Sequence, residues 1–342
     1  MKDFSLRDSN IELLRLILMV FAIIHHSVGT LYAGSVTPLI TSIDTISHAA
    51  LACFILISGF NGIRFSVSKL LYLLLYIVFY SLVFCVFSKL FLNVNISTKE
   101  YIKCFLPITN GYYWVVAVYL QLFLLAPFLN ILFSNLDNRK FSMLLVVLAF
   151  IVLYIGLFRS GNTSFDGKHL INFIFVYSLG HAIKRLFPFV VRYKFKIRWR
   201  SVMALFIIGI LVCVATSMFG MGNQFVNTLF YHYHSLGLLI TSIILFSLFL
   251  TFKLKSRIIN YLGLSSFAIY LFHEHPYMKN IVYVDFFSNL QVGQFHTIIY
   301  IMGGSLLIAC MAVVVDQPRI WLFRIFEPVL KIVIRGLNPF AK

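Results

Sequence analysis

Charged residues are scarce in this chain. They make up 11% of 342 residues, while 61% are hydrophobic and the mean hydropathy is +0.93. An ordinary soluble domain carries roughly 25% charged residues, so no water-facing surface can be assembled from this composition. Acidic residues are scarcer still, 11 Asp and Glu against 28 Lys and Arg, which leaves a net charge of +17. That excess does not describe a nucleic-acid binder, because the cations sit in short clusters between apolar runs and no separate basic domain exists to hold a duplex. Cysteine is sparse too: Cys53, Cys85, Cys104, Cys213 and Cys310 form no CxxC pair and lie mostly within apolar runs. Neither a disulfide framework nor a zinc site is expected, and no metal is assigned.

Long apolar runs dominate what remains. They fall near residues 11–32, 44–63, 70–91, 113–133, 141–158, 170–187, 201–219, 235–252, 258–277 and 296–315. Each approaches the about 20 residues needed to cross a bilayer. Backbone amides in hydrocarbon must be paired internally, and runs without strand-like alternation leave helices as the answer. The expected fold is all-α: one polytopic membrane bundle of about ten transmembrane helices spanning 1–342 as a single integral domain. The first run carries Glu12, Arg15, His25 and His26 and lacks a small-residue cleavage site, so it reads as a retained span rather than a signal peptide.

Lys and Arg are held on the cytoplasmic side. With both termini cytoplasmic, only Lys89, Lys99, Lys103, Arg159, Lys168 and Lys279 fall on outer segments, and the rest, apart from Arg15 inside the first span, lie inside. An odd number of spans would scramble that bias. The basic loop from Lys184 to Arg200 suits anionic inner-leaflet lipid. Histidines show the opposite skew: His26, His48, His169, His232, His234, His273, His275 and His296 all fall towards the outside. Imidazole is the side chain best suited to move protons near neutral pH, which hints at proton chemistry there.

Arg15 and His26 are eleven positions apart, three helical turns plus roughly 20°, so they share one face with a rise of about 16 Å between them. Glu12 precedes Arg15 by one turn and can pair with it. Ionisable groups within spans usually face the bundle interior or an aqueous cavity. The plainer alternative has Arg15 snorkelling to the interface and His26 bonded to a neighbouring carbonyl.

Four motifs in order resemble the acyltransferase 3 family of multi-pass membrane O-acyltransferases, many of which acetylate bacterial surface polysaccharides. They are Glu12, Leu14, Arg15 and His26; Phe54, Ser58, Gly59 and Phe60; Tyr113–Trp114 with Tyr119–Leu120 and Ala126–Leu129; and Ser265–His273. The resemblance covers nearly the whole chain. It implies a bacterial inner-membrane enzyme that takes an acyl group, acetyl in particular, from cytoplasmic acyl-CoA to a hydroxyl of a glycan or lipid-linked oligosaccharide outside. Acyl-CoA is then a substrate, with no cofactor bound.

Under that reading Arg15, Arg64 and Lys69 bind the donor phosphates. His26 meets the thioester, either as a base for the acceptor hydroxyl or as a nucleophile. Trp114, Tyr119, His273 and Glu274 line the tunnel or the acceptor side. Relatives often carry an Arg-x-Arg pair after the second helix, where this chain offers only Arg64. Ser58-Gly59 reads as a close helix approach. The rival reading is a polysaccharide flippase or small-solute transporter, whose usual internal repeats or matched helix breaks are absent from the sequence.

Overall fold

A computed structural model describes residues 8–31, 38–155, 167–192, 232–287 and 294–337, with the isolated positions 204, 207 and 211. Among these residues the chain is all-α and polytopic. The helices are α1 (Ser9–Leu31), α2 (Pro38–His48), α3 (Ala50–Asn61), α4 (Val67–Phe91), α5 (Thr98–Phe105), α6 (Trp114–Asn135) and α7 (Asn138–Ala149, continued by a wider turn over Phe150–Ile155). They continue as α8 (Leu170–Arg192), α9 (Leu236–Leu250), α10 (Arg257–Leu262), α11 (Ser266–Glu274), α12 (Pro276–Lys279) and α13 (Gln294–Leu337). Among the described residues, six segments are long and apolar enough to cross a membrane: Ser9–Thr30, Ser42–Asn61, Val67–Phe91, Trp114–Asn135, Asn138–Ile155 and His296–Phe326. The run at 170–187 lies on α8 and that at 235–252 on the shorter α9, while the run at 201–219 lies outside the described residues.

The run at 258–277, expected as one span, is broken. After α10 the chain tightens through Gly263–Ser265, resumes as α11, and turns at His275 into α12, whose first residue is Pro276. Proline suits a first helical position and cannot continue the helix before it. Gly263 has its own reason to be glycine, because a Cβ there would run into the Glu12 carboxylate.

Helix α1 runs through the middle of the bundle and touches α2, α3, α9, α10, α11 and α13. Leu14, Leu18 and Ile23 are fully buried. One apolar core lies between α1, α3, α6, α8 and α9, and a second between α1, α4, α6, α11 and α13. The tightest crossing is α3 against α8, where a Cβ on Gly59 would strike the Tyr177 carbonyl and one on Gly180 the Leu56 carbonyl. Small residues let backbones meet in this way when helices pack in lipid. The same crossing is tied by Tyr177, whose hydroxyl accepts from the Ile63 N–H at 3.0 Å and donates to Asn130 Oδ1 at 2.7 Å. Outward-facing Phe91, Phe128, Val146 and Val314 are largely exposed, as a lipid-facing surface requires.

Candidate active site

Residues 15, 19, 22 and 26 of α1 form a stripe at helical spacing, and all four line one cavity of about 1230 Å³. Arg15 stands near one end of the stripe and His26 near the other. The Glu12 Oε1 to Arg15 Nη1 ion pair is 2.9 Å, with Glu12 buried against Gly263 and Arg15 31% exposed. The start of α1 is anchored at this end. The Ser256 N–H donates to Ser9 Oγ at 2.9 Å, and Asn10 Nδ2 donates to the Phe249 carbonyl at 2.6 Å.

At the other end His26 Nε2 lies 3.1 Å from Oε1 of Glu274, the last residue of α11. That separation makes an ion-pair contact without the alignment of a hydrogen bond. The second oxygen of Glu274 lies 2.9 Å from Lys279 Nζ, so the carboxylate is held by a cation while only 2% of its side chain is accessible. The ring of fully buried His273 is 5.9 Å from that of His26. Its Nδ1 is bonded to the Ile269 carbonyl at 2.7 Å, and among the described residues Nε2 has no hydrogen-bond partner. Ligand atoms of His26, His273 and Glu274 come within 4.8 Å of one another, a spacing that suits a metal ion, although the Lys279 ammonium already supplies positive charge to that carboxylate.

His25 lines the cavity too, beside His26. Its Nδ1 is 2.6 Å from Asp44 Oδ1, and its ring stacks on that of His48 at 4.2 Å. Tyr233 meets His48 edge-on at 4.2 Å and Trp114 at 5.4 Å, and Lys168 Nζ sits 5.8 Å over the Trp114 ring. The His26 end therefore carries two histidine–carboxylate pairs and an aromatic wall.

The cavity brings together Arg15, His26, Lys69, Trp114, Tyr119 and Glu274. Glu12 reaches it through Arg15, and His273 abuts it through His26. Arg64 is exposed and not among the lining residues, and its carbonyl accepts from Lys69 Nζ at 2.8 Å. Sequence reasoning missed Asp44, Tyr233, Arg319 and Arg324, all but Asp44 lining the cavity, and it named His48, which also lines it, only as one of the outward-skewed histidines. The Asp316–Arg319 spacing within an apolar helix was a usable signal, since acidic residues are so few.

Residues 8–315 match a family model described as an acyltransferase domain, of the acyltransferase 3 type. The chain belongs to the acyltransferase 3 family. No curated protein and no solved structure matches it. Family membership and the helical architecture make it a membrane-embedded acyltransferase-family protein, and an acyl-CoA-type donor accords with that membership.

Proposed function

We propose that this acyltransferase 3 protein is a membrane O-acyltransferase that moves an acetyl group from cytoplasmic acetyl-CoA to a hydroxyl of a cell-surface or exported glycan in a bacterial inner membrane. The observation that carries the reading is the single cavity lined by both Arg15 and His26, which sit about 16 Å apart along α1 by helical rise. The distribution of Lys and Arg puts the Arg15 end towards the cytoplasm. Taking CoA itself across is prohibitive because buried charge is so costly in hydrocarbon. Its phosphates stay at the Arg15 end, and the neutral arm carries the thioester up to His26.

At that point Glu274 determines the role of the imidazole. Its carboxylate favours Nε2 as the protonated nitrogen, which leaves Nδ1 with the basic lone pair. Contacts of this kind often tighten only once substrate is bound. Nδ1 takes the proton of the acceptor hydroxyl, the oxygen attacks the thioester carbonyl, and the C–S bond breaks. The imidazolium then returns that proton to the departing thiolate, so acyl glycan and CoA thiol are the only products. A buried carboxylate stabilises the imidazolium formed in such a step, which favours the base over the nucleophile role for His26. Trp114 and Tyr233 offer aromatic faces for a sugar ring.

Comparison of surface-glycan mass between cells bearing the protein and cells bearing His26→Ala tests this. An acetyl increment that disappears in the variant, at equal protein abundance in the membrane, is expected. Glycan of unchanged mass in both would remove the reaction and return the chain to the flippase or solute-carrier reading.

A further inference from the structure

With Arg64 outside the cavity, its wall at the Arg15 end is completed by two cations of α13, Arg319 and Arg324. Arg319 is 6% exposed, and Asp316, one turn earlier, is fully buried. The Asp316 carboxylate accepts from Arg319 Nε at 2.6 Å and Nη2 at 2.7 Å, and the Tyr80 hydroxyl donates to the same carboxylate at 2.5 Å. The guanidinium carbon lies 4.2 Å from the centre of the Tyr76 ring and 5.5 Å from that of Phe323.

A buried ion pair is a weak source of stability, because desolvating both charges offsets most of their attraction. What this one achieves is orientation. Two of the five guanidinium N–H groups are committed to Asp316, and the rest of the fork remains for a ligand with planar or tetrahedral oxygens. Arg324 is exposed, and it lines the cavity with Lys69 and Arg15. Among the described residues the cations here outnumber their carboxylates, since Glu12 pairs with Arg15, Asp316 pairs with Arg319, and no ion pair is seen for Lys69 or Arg324.

We infer that Arg319 and Arg324 bind phosphate oxygens of the donor's nucleotide end, Arg319 as a pre-aligned fork and Arg324 as an exposed cation beside it. This rests on the acyl-CoA reading above. An anionic lipid headgroup presents the same phosphate chemistry, so the test separates the two sources.

The full chain is purified into discs of neutral phosphatidylcholine, and binding of CoA and of phosphate-free pantetheine is measured by calorimetry. Two variants are compared: Arg324→Ala, and the double change Asp316→Asn with Arg319→Gln, which strands no buried charge. A charged hydrogen bond lost from each should weaken CoA about tenfold or more, with pantetheine binding unchanged. Arg324 is exposed, so that variant stays informative even if the double change unfolds. CoA affinity equal to wild type in Arg324→Ala and in the folded double variant would overturn the inference while leaving the donor site intact. Variants that lose binding to phosphatidylglycerol vesicles but not to CoA would overturn it in favour of lipid. A wild-type protein that binds no CoA at all would remove this inference and the acyl-CoA reading together.

Discussion

His26 and Glu274 meet at 3.1 Å across the α1–α11 contact, and Lys279 holds the far carboxylate oxygen at 2.9 Å. In the proposed reaction this contact sets the carboxylate against one ring nitrogen, the arrangement by which a buried acid orients a histidine base. Glu274→Gln keeps the shape and removes the charge. It should lower kcat by about 10²–10⁴ and leave KM for the acyl donor close to wild type, as initial rates on membranes will read. A kcat that does not move would take Glu274 out of the reaction.

The second pair, His25 with Asp44 at 2.6 Å, stands with His48, Tyr233 and Trp114 on the wall assigned to the acceptor. Asp44→Asn frees the His25 ring to turn. Its expected signature is a raised KM for the glycan acceptor with donor KM little changed. The reverse pattern would move this pair to the donor side.

Packing makes a separate prediction. Gly59→Ala and Gly180→Ala each force a methyl group into a backbone carbonyl of the facing helix. Overpacking of this kind costs about 1–3 kcal/mol, so both variants should melt earlier in detergent. Gly29→Ala and Gly303→Ala meet nothing within 4 Å and serve as controls that should melt like wild type. Equal melting of all four would mean that α3 and α8 are not in that close contact.

Outside the spans, α5 is closed by a capping box. The Ser97 N–H and hydroxyl both donate to Glu100, at 2.7 and 2.8 Å, and Ser97 Oγ accepts from the Glu100 N–H at 3.4 Å. The Ser97 backbone N–H first, and its hydroxyl second, hold the Glu100 carboxyl below its ordinary value. A group whose folded value is lowered gives its stabilisation in full above the unfolded value and loses it as pH falls through the folded one. Protection of α5 amides, corrected for intrinsic exchange, should decline on acidification in that window and stay flat in Glu100→Gln. Identical profiles would show that the box contributes nothing.

Much of this architecture was legible in the sequence because it is local. The Arg15–His26 stripe and the Glu12–Arg15 pair follow from helical periodicity alone, and Ser58-Gly59 announced a close crossing from its small residues. The tight approach of Gly263 to Glu12 was not legible, since the two residues are far apart in sequence and meet only in the packed bundle, although Pro276 was a local signal that the run at 258–277 would break. For the same reason Lys279 reads only as an outer-segment cation, although it is the partner of Glu274, and nothing local to His25 points to Asp44, which lies on another helix. Arg319 read as a cation beyond the end of the last span, whereas α13 continues as a helix to Leu337 and folds that residue back onto the cavity wall. Helical spacing shows which side chains share a face, and tertiary packing decides what that face meets.

In the proposed reaction one cavity conducts an acyl group from the Arg15 end to the His26 end while CoA remains on its own side. Proteoliposomes of uniform orientation, with acetyl-labelled CoA supplied only at the Arg15 face and glycan acceptor only at the opposite face, test it directly. Labelled glycan should accumulate opposite the donor, CoA thiol should appear with the donor, and His26→Ala should abolish both. Label that reaches glycan only when donor and acceptor share a face, or transfer that persists in His26→Ala, would contradict it.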